Sequence, residues 1–302
     1  MRLDFAESLR VSQTEAVGFS TVPVVSEAQF SVLRRPDAVE YKGRFWRPAD
    51  ASKGLIYIPV NPLAVIKPEE AGFPVAASLG YRATVDGAES NAVSHVHVMR
   101  ELDSFGIDKI PNKYMRRDLR AVIRDPKVRV YMPTPENPGL LIEQAAQLHA
   151  SSSAVQEYSP FGRHTREAFE AGLDASGFNS GNLLILAGLV EGKLAGYVTG
   201  LAVGDTAIAE MLVVGDSYKS TNVGTRLMYA FIEACQRTEG VDQIYNWRVE
   251  PSKPGISQYK ERLGFPATAV PATVVLRPGL DGVFKAVRKF KPEIYKKLYG
   301  QY

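Results

Sequence analysis

The sequence predicts an α+β fold in two domains, with mixed sheets flanked by helices. Three observations predict it. The chain has 302 residues, which suits two cores of ordinary size. Short β-like runs separated by turn residues fill positions 1–105, whereas from 140 to 276 apolar runs of strand length alternate with runs of helical period. Between the two halves, 111–125 reads as a basic helix that marks the join.

In the first half, Glu40–Arg47 reads as a hairpin turning at Lys42-Gly43, and 55–60 and Ser94–Met99 as strands. In 111–125, Pro111 suits a first helical turn, and Tyr114, Met115, Leu119, Val122 and Ile123 form an apolar stripe. Lys127–Met132 alternates as a strand. Leu140–Ala150 and Thr165–Ala175 read as helices. Leu183–Val190 and Lys193–Leu201 are strands joined at Glu191-Gly192, and Ala207–Val214 is a third. Asn222–Gln236 is an amphipathic helix with Leu227, Phe231, Ile232 and Cys235 on one side. Gln243–Val249, Ile256–Leu263 and Ala269–Leu276 complete the half as strand, short helix and strand.

Composition excludes several classes. Hydrophobic residues are 45% and charged residues 23% of the chain, and no run nears the roughly 20 apolar residues that span a bilayer. The start, MRLDFAESLRVSQTE, has no apolar core behind a basic end, so no secretory signal is read and a cytoplasmic location is expected. The single Cys235 excludes an internal disulfide and a cysteine-based metal site. His95 and His97 share one strand face but lack a third ligand, so no metal is expected. The net charge of +3 is too small to imply nucleic-acid binding by itself. Basic residues nevertheless cluster at Lys109, Lys113, Arg116, Arg117, Arg120, Arg124, Lys127 and Arg129, and again at Lys285, Arg288, Lys289, Lys291, Lys296 and Lys297. Each cluster is either a solvated face or a contact for a phosphorylated or acidic partner. In the second, Leu280, Val283, Phe284 and Val287 recur at helical spacing, so 280–297 forms either a strut or a basic amphipathic helix peripheral to a membrane.

Two motifs carry chemistry. Lys219-Ser220-Thr221-Asn222-Val223-Gly224-Thr225 opens the amphipathic helix. A helix start has unpaired N–H groups and partial positive charge, and small residues let an anion approach the backbone. Downstream stands Tyr259-Lys260-Glu261-Arg262-Leu263-Gly264-Phe265.

With these motifs, the element order of the second half resembles that of the GNAT acyltransferase superfamily. That family binds the CoA pyrophosphate with a [Q/R]-x-x-G-x-[G/A] loop. Lys219 takes its first place, Asn222 the first glycine place and Gly224 the last small place. Asn tolerates left-handed backbone better than most residues. The family's short helix commonly ends in Tyr-x-x-Leu-Gly-Phe; aligned on Leu263-Gly264-Phe265, Lys260 stands in the tyrosine place. The Tyr-Lys pair, the basic helix Lys113–Arg120 and the β-rich first half are most similar to the Fem-type N-acyltransferases, which carry two GNAT-like domains in tandem.

The resemblance implies a degenerate GNAT-like domain at 1–110, a linker helix at 111–125, the acyltransferase domain at 126–277 and a basic C-terminal helix at 278–302. It implies acyl-CoA or acetyl-CoA as cosubstrate and a small-molecule amine or amino acid as acceptor. Backbone N–H groups of Leu212, Val213 and Val214 are the expected oxyanion donors. Glu210 is either the base, direct or through water, or a solvent-facing strand residue. Lys260 orients an acceptor carboxylate or stabilises the carbonyl oxygen, or is a surface lysine. Tyr259 is an alternative acid or a packed aromatic. Trp46 and Trp247 read as core or interface aromatics, and Asn246 and Arg248 as channel lining. Two other functions stay open: a transferase with aminoacyl-tRNA or acyl carrier protein as donor, and a non-catalytic acyl-CoA-binding module.

Overall fold

A computed structural model describes residues 20–34, 37–49, 56–67, 69–76, 78–153 and 165–280, with a few isolated positions beside them. Along the chain these form β1 (Val24–Val25), α1 (Glu27–Arg34), β2 (Val39–Tyr41), β3 (Arg44–Pro48), β4 (Ile56–Pro59), β5 (Gly80–Thr84) and β6 (Ala92–Met99). Next come α2 (Lys113–Arg124), β7 (Val128–Tyr131), α3 (Leu140–Ser151), α4 (Arg166–Ala175), β8 (Leu184–Val190), β9 (Lys193–Val203) and β10 (Thr206–Val214). The series ends with α5 (Val223–Gln236), β11 (Gln243–Arg248), α6 (Pro254–Leu263) and β12 (Ala267–Leu276). The expected 280–297 helix lies almost wholly outside the described residues.

Contacts divide the chain into two units, the first made of 1–25, 99–246 and 260–265. Its strands run β11-β10-β9-β8-β7, and β1 lies parallel to the far end of β9. The β8–β9 corner is Glu191-Gly192, with φ of 51° and 81°, the paired left-handed geometry that favours tight hairpins. Nearly all of β9 is buried because helices cover both of its faces. On one face α5 presses close: a Cβ on Gly188 would stand 2.6 Å from Val223 Cγ2, and one on Gly200 2.4 Å from Phe231 Cε2. On the other face Tyr197, which alternates along β9 with Gly196 and Gly200, meets the rings of His149 in α3 and Phe169 in α4.

Helix α5 is buried on almost every side rather than along one stripe. The sheet covers one flank and α2 packs on another, while Gln236 Nε2 donates to the carbonyls of Leu102 and Phe105 at 2.6 and 2.7 Å. Helix α2 is capped by Asn112, whose Oδ1 accepts from the N–H of Tyr114 and Met115. It buries Leu119 and Val122, so the helix expected as a linker packs within this unit. Replacing Gly200 by Val is expected to lower stability by about 1–3 kcal/mol through overpacking against Phe231. A urea midpoint equal to that of the wild type would contradict this packing.

The second unit comprises 26–98, 247–259 and 266–302. Its strand order is β2-β3-β4-β5-β12-β6. The expected hairpin turns at Lys42 and Gly43, φ 52° and 74°. Trp46 is fully buried and packs edge-on against Tyr81 with centroids 5.6 Å apart. Strand β12 pairs antiparallel on both edges, Ala272–Leu276 with Thr84–Gly80 and Ala267–Ala272 with His97–Ala92. The expected domain at 126–277 included this last strand, whose ladder bonds lie with β5 and β6 in the second unit, and the chain passes from the second unit back to the first at 98–99, ahead of the expected join at 111–125.

Candidate active site

The end of β10, the glycine-bearing loop, the start of α5 and Lys260 all belong to the first unit. The pairing of β10 with β9 shifts between Ala209, opposite Gly200, and Met211, opposite Thr199. Glu210 is therefore the extra residue of a β-bulge, which bends the strand and re-aims the residues after it. On its other edge β10 pairs in parallel with β11, but only from Thr206↔Gln243 to Ile208↔Tyr245. Beyond that point the edge of β10 has no strand partner among the described residues of this unit.

The open edge has a defined polarity. Gly215 donates its N–H to Ala195 of β9 at 3.0 Å. Alternation along a strand then turns the backbone of Val213 toward β9 and those of Leu212 and Val214 toward the open edge. Of the three expected donors, Leu212 and Val214 turn their N–H groups to that edge and Val213 turns its own to β9.

The glycine-bearing loop lies against this edge. Residues 216–221 form a 3-10 turn, Asn222 adopts φ 59°, ψ 14°, and α5 starts at Val223. Asn222 thus takes the left-handed conformation expected of a glycine place. Its side chain caps nothing, and the N–H groups of Gly224 and Thr225 have no acceptor among the described residues. A Cβ on Gly224 would meet Val214 Cγ2 at 3.0 Å and Leu212 Cδ2 at 4.0 Å. The first turn of α5 and the free edge of β10 therefore flank one space.

Lys219 is less available than the sequence implies. Its ammonium stands 2.7 Å from Asp216 Oδ1, and Ser153 holds the same carboxylate through its hydroxyl at 3.1 Å and its N–H at 3.3 Å. The hydrogen bond from Lys219, then those from Ser153, hold the Asp216 carboxyl below its usual range. Ser220 and Thr221 complete the turn, and Thr221 donates to the Tyr218 carbonyl at 2.7 Å. An anion arriving here meets a cation already offset by a carboxylate. Asp216→Asn is expected to tighten acyl-CoA binding a few-fold at low salt, with the gain fading as salt rises; isothermal titration at two ionic strengths checks it.

Lys260 completes the arrangement. Its Nζ donates to the Asn246 carbonyl at 2.7 Å. By continuation of the parallel register Asn246 stands level with Ala209, one residue before the bulge, so the ammonium sits where the two strands part. Leu263-Gly264-Phe265 explains how α6 holds it there. Phe265 N–H bonds to the Lys260 carbonyl and Gly264 N–H to that of Glu261, a Schellman cap with Gly264 at φ 112°. Leu263 and Phe265 are fully buried anchors. Tyr259, one residue earlier, is partly buried. Just past Asn246, Trp247 has φ 64° and is 39% exposed, so it is not a core residue.

Other expected residues lie elsewhere. In the second unit, His97 is buried and its Nε2 lies 3.2 Å from Ser257 Oγ. Among the described residues no group of three or more His, Cys, Asp or Glu is placed to hold a metal, and no helix is long and apolar enough to cross a membrane. Cys235 is fully buried in α5, and burial pushes its thiol well above the ordinary range. It should resist alkylation in the native protein and react on denaturation; rapid native labelling would contradict its placement. Two features were missed in the sequence. Asp216 offsets Lys219, and His149 Nε2 lies 2.5 Å from Tyr197 Oη beneath Met211, whose sulfur is 3.6 Å from that hydroxyl. An isolated Asp or His in a loop or helix carries no signal for either.

Residues 149–265 match the acetyltransferase (GNAT) family. Among solved structures, the C-terminal domain of a protein described as a lysylphosphatidylglycerol synthetase, from Agrobacterium fabrum, is similar over 98% of this chain and 98% of its own, with TM-score 0.53 and 10% identity. FemX is similar over 95% of this chain and 99% of its own, with TM-score 0.53 and 8% identity. These likenesses bear out the α+β class and the Fem-type tandem GNAT resemblance. No curated protein sequence matches the chain.

Proposed function

Because residues 149–265 match the GNAT family, we propose that this protein is an N-acyltransferase that moves an acyl group from acyl-CoA to the amine of a small molecule or amino acid. One observation carries the reading: the unpaired edge of β10 beyond Ile208 and the open N-terminus of α5 share one space, with Gly224 at their meeting point. A thioester carrier with a pantetheine arm and a pyrophosphate fits both parts. The backbone of Leu212 and Val214 pairs with the amide-bearing arm as a strand would. The N–H groups of the 219–225 loop, Gly224 and Thr225 foremost, receive the phosphates.

That placement sets the chemistry. The amine nitrogen attacks the thioester carbonyl, the C–S bond breaks, and the sulfur leaves as a thiol once protonated. The N–H of Leu212, the first to face the open edge after the bulge, stabilises the carbonyl oxygen as it gains charge. Glu210 takes the amine proton, directly or through water. Lys260, fixed on the Asn246 carbonyl, orients an acceptor carboxylate or the carbonyl oxygen. Lys260→Ala is expected to lower turnover more than donor affinity. Wild-type turnover would return Lys260 to a structural role at the end of β11.

Mass spectrometry of ligands released from the purified protein tests the donor. CoA or an acyl-CoA is expected, and a nucleotide without a thioester arm in its place would overturn the reading. A second reading takes a bulkier donor, aminoacyl-tRNA or acyl carrier protein. It is supported by Lys109, Lys113 and Arg124, which are exposed and without an acidic partner among the described residues. Loss of activity on RNase treatment would select the tRNA. Contact of 280–297 with a membrane surface remains part of the proposal, read from sequence alone.

A further inference from the structure

The first unit holds a basic cavity apart from the donor loop, on the flank of α5 that faces α2 and the edge strand β7. It encloses about 450 Å³ between the end of α2, strand β7 and the first turns of α5. Three guanidinium groups from these three elements line it: Arg124, Arg129 and Arg226. Arg124 sits in the last turn of α2 and Arg129 on the outward face of β7. Both are exposed and have no acidic partner among the described residues.

Arg226 is the unusual member. Its Nη1 is shut off from solvent and has no hydrogen-bond partner. Its ion-pair partner Glu233 stands 3.6 Å away, beyond hydrogen-bonding distance. The cavity's other carboxylate, Asp125, already accepts the N–H of Lys127 at 2.9 Å. A buried guanidinium N–H without an acceptor costs free energy, and an anion with several oxygens would relieve it.

We propose that this cavity binds a phosphate monoester. Guanidinium forks match phosphate oxygens in pairs, and forks arriving from three directions suit a tetrahedral dianion better than a planar carboxylate. The volume is that of a small-molecule site. The site is separate from the donor loop, although Arg226 lies two residues beyond Gly224 on the same helix, and it stands whether or not the donor is CoA.

Titration calorimetry with inorganic phosphate tests it, on wild type, Arg124→Ala/Arg129→Ala and Gly224→Val. Both arginines are exposed, so the double variant should fold. It should bind phosphate at least about tenfold more weakly while acetyl-CoA affinity stays unchanged. Gly224→Val should keep the phosphate site. Equal phosphate affinity in wild type and double variant would overturn the proposal, as would loss of phosphate binding in Gly224→Val alone. A parallel titration with a 5′-phosphorylated RNA oligonucleotide distinguishes sources. Affinity far above that for inorganic phosphate and lost with the two arginines marks a strand end, and equal affinity marks a free metabolite.

Discussion

Replacing Gly224 by Val is expected to weaken acyl-CoA binding about tenfold or more, some 1.4 kcal/mol, while leaving the protein folded. Even a single added carbon at this position comes within 3.0 Å of Val214. The two further methyl groups of valine have the packed flank of β10 on one side and the space above the loop on the other. Those that turn outward occupy the approach to the N–H groups of Gly224 and Thr225, which the pyrophosphate must reach. Position 224 lies in the first turn of α5, where valine costs only a few tenths of a kcal/mol in propensity relative to better helix formers. A thermal melt separates the two effects. A folded variant with unchanged CoA affinity would show that the donor does not enter over this turn.

The second large effect is expected at Glu210. Changing it to Gln keeps the size of the side chain and removes the proton acceptor. If Glu210 takes the amine proton, turnover should fall about a hundredfold or more, within the range of general base catalysis, with donor affinity held within a factor of two or so. Because a bulge at this place does not depend on the carboxylate, strand pairing should persist. A residual rate that rises with pH, as more amine becomes neutral in solution, is the accompanying signature. Full activity in Glu210→Gln would return the residue to a solvent-facing strand position.

Much of this arrangement was legible in the sequence because its determinants are local. Alternation in Ser94–Met99, the Glu191-Gly192 corner and the apolar spacing of α5 each depend on residues a few positions apart. Leu263-Gly264-Phe265 was legible for the same reason, as a contiguous run at the end of the short helix; the cap it forms was not read from it. The bulge at Glu210 was not legible, for it arises from a register between β9 and β10 that no residue type announces. Nor was the placement of β12: its alternation says strand, but only long-range pairing with β5 and β6 decides the unit it joins. Lys219 reads in sequence as the first place of the phosphate loop, and Asp216, three residues before it, carries no signal that it offsets that charge. Their mutual neutralisation becomes visible once Ser153 is brought beside them.

The central claim is transfer of an acyl group to nitrogen, and the most direct measurement tracks the acyl group itself. The protein is incubated with acetyl-CoA labelled in the acetyl carbon and with the amine-bearing small molecules of a cell extract. Products are then treated with hydroxylamine, which cleaves thioesters and spares amides. The account predicts label in a hydroxylamine-stable product, one thiol released for each acetyl transferred, and a rate that collapses in Glu210→Gln. Label that remains in thioester at the rate seen with Glu210→Gln, while CoA binding is intact, would contradict it and leave a binding module without transferase activity.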